Sequence, residues 1–172
     1  MTRTELTLSD LFIEDETAWL EAMAELLAIG AYAKLDHENL REYLTDMAKR
    51  DRREVESRLV VLLMHVLKWM YQPDHRTRSW KSSIIEHRQE LASLASRGVL
   101  RNHADSVLAE AYRKAGERAS AETGLPLHVF PPECGFTFNE LLAFDPMLGD
   151  RARFEQALKR VADVEAEERD RL

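Results

Sequence analysis

Between Leu59 and Met70, ten of twelve consecutive residues are hydrophobic, and the two exceptions are His65 and Lys68. No other stretch restricts the fold as strongly. The run is too short and too interrupted to cross a bilayer, which takes about 20 apolar residues in a helix. It reads as a central helix buried on most of its sides. Gln72-Pro73 ends it, because proline disfavours a helical residue before it.

The rest of the chain reads as helices built around this one. From Asp15, the residues Trp19, Met23, Leu26 and Leu27 form an apolar stripe, and Gly30 stands where a left-handed C-terminal cap belongs. Asp36 is placed as an N-cap, with Leu35 and Leu40 as a hydrophobic staple, and Leu40, Tyr43, Leu44 and Met47 continue at helical spacing. Asp51 and Glu54 have the spacing of a capping box, so a break or bend is expected near Arg50. A helix from about Trp80 to Ser96 carries Trp80, Ile84, His87, Leu91 and Leu94 on one stripe and is closed by Gly98. Another, from about Asn102 to Thr123, carries Leu108, Ala111, Tyr112, Ala115 and Ala119; its alanines suit close packing against a bulky neighbour. Gly124 and Pro126 stop it.

The stretch 124–136 holds three prolines and two glycines and must be irregular; its apolar members predict a strap lying on the core. Thr137 and Glu140 form a second capping box, with Phe136 and Leu141 as staple, before a short helix that ends at Asp145-Pro146. The last helix is expected from near Asp150, with a stripe of Phe154, Leu158 and Val161 and a polar, fraying tail from Glu165. The expected fold is all-α: a compact single-domain bundle of six to seven helices with one Pro-rich strap. The helical core spans 1–148, and the helix in 149–172 packs on that core or on a partner.

Composition excludes several classes. At 45% hydrophobic and 32% charged residues, the chain is neither disordered nor a membrane protein. Its one cysteine, Cys134, allows no intrachain disulfide and no thiolate zinc site. Met1–Leu6 lacks the apolar core of a signal peptide, which predicts a cytoplasmic protein. The net charge of −7 argues against bulk nucleic-acid binding, but it is unevenly spread. Residues 1–50 carry 5 basic and 11 acidic side chains, net −6, whereas 51–101 carry 10 and 6, net +4.

Projecting 54–71 at 100° per residue places Glu56 inside the apolar arc, between Leu63 and Leu67, where an ionised carboxylate is costly unless paired. Arg76, Arg78 and Arg88 are the candidate partners, and Glu54 is set to pair with Arg58 at i,i+4. His65 and Lys68 share a second strip with Arg58. Two readings stay open. In one, Glu56, Arg58, His65, Lys68, Arg76, Arg78 and Arg88 form a structural polar cluster. In the other, Glu56, His65 and Arg58 line a pocket for acid–base chemistry. A third group, Lys68, Arg76, Arg78 and Lys81, lies interleaved with Trp69, Tyr71 and Trp80, a composition suited to contacting nucleic acid.

The six histidines include no His-Glu-x-x-His, and no Gly-rich phosphate loop occurs, so neither a metal nor a cofactor is expected. Cys134 has no adjacent histidine; only the helix beginning near Thr137 could activate it. The favoured reading is an interaction module for a protein partner rather than an enzyme, with Phe154, Leu158 and Val161 as the self-association surface.

As an ordered set, these residues resemble the bacterial family described as domain of unknown function 29. The resemblance rests on Asp15-x-x-x-Trp19-Leu20, Asp36-x-Glu38-Asn39-Leu40, Glu56-x-Arg58-Leu59 and His65-x-Leu67-Lys68-Trp69. It continues through Tyr71-Gln72-Pro73, Arg78-Ser79-Trp80, Arg88, Ala121-Glu122-Thr123-Gly124-Leu125 and Phe130-Pro131-Pro132-Glu133-Cys134, and covers residues 10–148. Gly135 departs from it, standing where the family is expected to have proline. The resemblance implies an all-helical fold and no known activity, cofactor or substrate.

Overall fold

The computed structural model describes residues 7–148 and 151–170. The expectations for Met1–Leu6 and for a helix start at Asp150 lie outside the described residues. Those described form seven α-helices and three short 3-10 turns, with no strand among them. The α-helices are α1 (Leu8–Glu14), α2 (Glu16–Ala28), α3 (His37–Tyr71), α4 (Arg78–Leu94), α5 (Gly98–Thr123), α6 (Phe138–Ala143) and α7 (Arg151–Asp170). The all-α expectation holds. By their internal contacts, residues 1–50 and 51–172 form two compact units.

In the first unit, α1 starts at a capping box that the sequence reading passed over: Thr7 Oγ1 accepts from Asp10 N at 3.2 Å, and Asp10 Oδ2 accepts from Thr7 N at 2.9 Å. Asp15 caps α2 by accepting from Ala18 N at 3.0 Å. Gly30 ends α2 with φ +72°, and Ala31 N reaches back to Leu26 O at 2.9 Å, as the left-handed cap requires. Asp36 caps α3 through Asn39 N at 3.3 Å and also accepts from Trp19 Nε1 at 3.4 Å. Trp19 is fully buried, with Phe12 and Tyr43 packed around it at 4.8 and 5.7 Å between ring centres.

α3 is one unbroken helix of 35 residues. The break expected near Arg50 does not occur. A capping residue has to leave helical dihedrals, and no glycine or proline between His37 and Tyr71 makes the chain do so. Asp51 and Glu54 simply lie within the helix.

In the second unit, α3 is the central rod that the apolar run predicts. Val55, Leu59, Leu62, Leu63 and Val66 are completely buried. They cluster with Ile84 and Leu91 of α4, Ala104, Ala115 and Ala119 of α5, Phe138 and Leu141 of α6, and Ala157 of α7. The buried alanines let α5 approach closely. α5 begins at Gly98, four residues earlier than expected, and stops at Gly124, whose φ of +74° suits glycine. The Pro-rich segment lies on the core as anticipated, with Val129, Phe130 and Phe136 buried. The Thr137–Glu140 capping box forms and opens α6. α7 stays helical to Asp170, past the fraying expected from Glu165, on the high helix propensity of its alanine and glutamate residues.

Candidate functional site

Helix geometry separates the pair on which acid–base chemistry would depend. Glu56 and His65 are nine residues apart on α3, so they project from opposite sides and lie about 13 Å apart along the axis. Glu56 turns to α5, where its carboxylate accepts from His103 Nε2 at 3.0 Å. Its side chain keeps 41% of its surface exposed. The expectation of a buried Glu56 neutralised by Arg76, Arg78 or Arg88 is therefore corrected. A long side chain can leave an apolar arc at its edge, and a one-helix wheel does not contain His103.

His65 faces α4. Its Nδ1 donates to Val61 O at 2.9 Å and lies 3.3 Å from Ser83 Oγ. The Val61 carbonyl thus fixes the ring and its tautomer, and among the described residues no carboxylate is hydrogen-bonded to it. Burial also pushes the imidazole below the ordinary histidine value. His87 is shifted the same way, again chiefly by burial, and its Nδ1 is buried without a hydrogen-bond partner among the described residues. Arg58 takes Glu54 Oε1 at 2.7 and 2.9 Å, the pair expected from spacing, and lies 3.7 Å from Glu90.

The downstream arginines serve main-chain carbonyls. Arg76 Nε donates to Trp69 O at 2.8 Å while its guanidinium lies 4.9 Å from the Trp69 ring centre and 4.8 Å from that of Phe154. Arg88 Nη1 donates to Phe144 O at 2.6 Å, at the C-terminal end of α6. Helix C-termini leave carbonyls without partners, and a guanidinium supplies both the donor and the favourable charge. Near the end of α3, Lys68 pairs with Glu122 and Gln72 Nε2 donates to Thr123 O at 3.0 Å, which joins the C-terminal turns of α3 and α5. Lys68 is buried at 5% exposure and lies 4.4 Å from the Trp80 ring centre.

The basic residues expected to contact nucleic acid are differently placed, with Arg76 and Arg78 exposed. Lys68 is inside, Arg76 is stacked between two rings, and Lys81 Nζ lies 2.7 Å from Met147 Sδ. Arg78 is exposed at the start of α4. Of the stripe expected to self-associate, Phe154 and Val161 pack against the core of their own unit, and Leu158 keeps 44% exposure. Cys134 donates to Phe136 O at 3.4 Å, and burial raises its thiol rather than activating it.

Among the described residues, no group of three His, Cys, Asp or Glu side chains is placed to hold a metal ion, and no helix is long and apolar enough to cross a membrane. What the sequence reading missed lies on α5 and α7: His103, Arg153 and Arg160. Arg160 donates to Val129 O at 2.9 Å and to His128 O at 3.2 Å, fastening α7 to the strap.

Comparison with known proteins finds no match among curated proteins and none among solved structures. The model of one family, described as "Domain of unknown function DUF29", matches residues 11–145, which takes in α2 to α6 and leaves α7 outside. With most of its length matched in this way, the chain belongs to the DUF29 family.

Proposed function

We propose that the chain is a protein-interaction module whose N-terminal unit pairs with the same unit of a second copy. The observation that carries this reading is the sparse interior of that unit. Between residues 7 and 50 only Trp19 and Met23 are buried, while Ile13, Leu27, Ile29, Tyr32 and Leu44 are exposed. So small an interior supports little on its own, and units of this size commonly complete their cores by association.

The start of α3 supports the choice of occupant. Leu40, Leu44 and Met47 share one face, with Leu44 at 60% exposure. Glu38 and Lys49 project from the opposite side of the helix, where Lys49 meets Asp46 at 3.1 Å. If two such helices cross antiparallel close to Leu44, each Leu40 lies near Met47 of the other copy. That is the self-complementarity a two-fold interface needs. The single cysteine fits a reducing compartment and supports a cytoplasmic location.

Light scattering on the full chain at micromolar concentration tests the reading. A dimer is expected, with Leu44→Glu giving a monomer. Glu38→Lys, on the opposite side of the helix, leaves the dimer intact. A monomer at every concentration, a dimer indifferent to Leu44→Glu, or one that Glu38→Lys breaks, overturns the proposal.

A further inference from the structure

A cavity of about 230 Å³ opens between α3, α5, the strap and α7. Leu67, Met70 and Phe136 give it apolar walls, and no acidic side chain lines it. Its charged members are Arg153 and Arg160, both from α7. Arg153 is already answered: its guanidinium meets Glu140 at 2.7 Å and lies 4.3 Å from the Phe136 ring centre. Arg160 spends two of its nitrogens on strap carbonyls and has no carboxylate partner among the described residues. Tyr71, also on the lining, is 5% exposed, and its hydroxyl has no hydrogen-bond partner among the described residues. The neighbouring Tyr112 hydroxyl, by contrast, donates to Pro131 O at 2.9 Å.

A hydroxyl and a half-buried guanidinium with no acidic partner among the described residues thus line one apolar cavity, where a ligand can supply both an acceptor and a negative charge. With Arg153 offset by Glu140, one positive charge is left over. We propose that this cavity binds a small organic monoanion, a carboxylate on an apolar body, with the carboxylate taking the free Nη1 of Arg160 and the hydroxyl of Tyr71. An apolar cavity of about 150 Å³ accepts benzene, so this one has room for an aromatic ring and its carboxylate. Burial raises the Tyr71 phenol, which keeps it a donor at neutral pH.

Titration calorimetry of the full chain with benzoate tests this, with benzyl alcohol and inorganic phosphate as comparators. Benzoate is expected to bind once per chain, and each comparator at least about tenfold more weakly. Tyr71→Phe removes one oxygen and keeps the ring, so it isolates the ligand contact. It should weaken benzoate about tenfold at unchanged thermal stability. Arg160→Met should abolish binding, though it also frees the strap carbonyls. No benzoate binding at millimolar concentration, benzyl alcohol or phosphate binding as tightly as benzoate, or a Tyr71→Phe affinity equal to wild type overturns the assignment.

Discussion

Lys68 closes an ion pair with Glu122 while its ammonium lies 4.4 Å from the Trp80 ring centre. The two partners are not equally placed. Lys68 has 6% of its side chain exposed and Glu122 has 48%. Removing the glutamate strands a buried cation, whereas removing the lysine leaves a carboxylate that water can reach.

The pair should therefore respond asymmetrically. Glu122→Ala is expected to cost about 3 kcal/mol, the low end of the range for a stranded buried ion. Lys68→Met, which fills the same space with an apolar side chain, should cost less than about 1 kcal/mol. Urea unfolding midpoints measure both, and equal losses would contradict the burial difference.

Glu56 makes the opposite test. Its carboxylate is 41% exposed and pairs with His103 at 3.0 Å. Glu56→Ala should lower stability by less than about 1 kcal/mol, as for solvent-accessible ion pairs. A loss of several kcal/mol in chemical denaturation would restore a buried role for this residue.

His65 and His87 make stability depend on pH. Burial holds both imidazoles below the ordinary value of 6.5. Arg58 adds to the depression of His87 and Lys68 to that of His65, while Glu86, Glu90 and Glu122 oppose it. As pH falls through 6.5 the unfolded chain takes up protons that the folded chain resists, so this stability is complete above that point and lost below it. Denaturant midpoints should fall between about pH 7.5 and about pH 5.5. The His65→Leu/His87→Phe variant should flatten that slope; an unchanged slope would place the acid sensitivity elsewhere.

Arg76 is held by two rings and one carbonyl. Arg76→Ala should cost about 1–2 kcal/mol and speed proteolysis within α7, which carries Phe154. Arg76→Lys should recover less than half of the loss, because an ammonium cannot stack and donate in the same planar way. Full recovery by lysine would reduce the interaction to plain charge.

The central rod was legible because Leu59–Met70 leaves little choice of environment, and Gly30, Gly124 and the Thr137–Glu140 box were legible because their chemistry is local. Other features depended on partners distant in sequence. Glu56 finds His103 across 47 residues, and Lys68 finds Glu122 across 54. A search for carboxylates could not have placed Arg76 and Arg88, since their acceptors are peptide carbonyls. The cavity was invisible for the same reason: it draws Tyr71, Phe136 and Arg160 from separate elements.

Arg76, Arg88 and Arg160 fasten turns and helix ends through peptide oxygens. An amide oxygen does not titrate, and a guanidinium keeps its charge throughout the accessible pH range. Acidification that neutralises every aspartate and glutamate therefore leaves these three clasps closed. In acid the strap, α6 and the end of α3 should stay attached, so loosening would begin where no arginine holds a peptide oxygen.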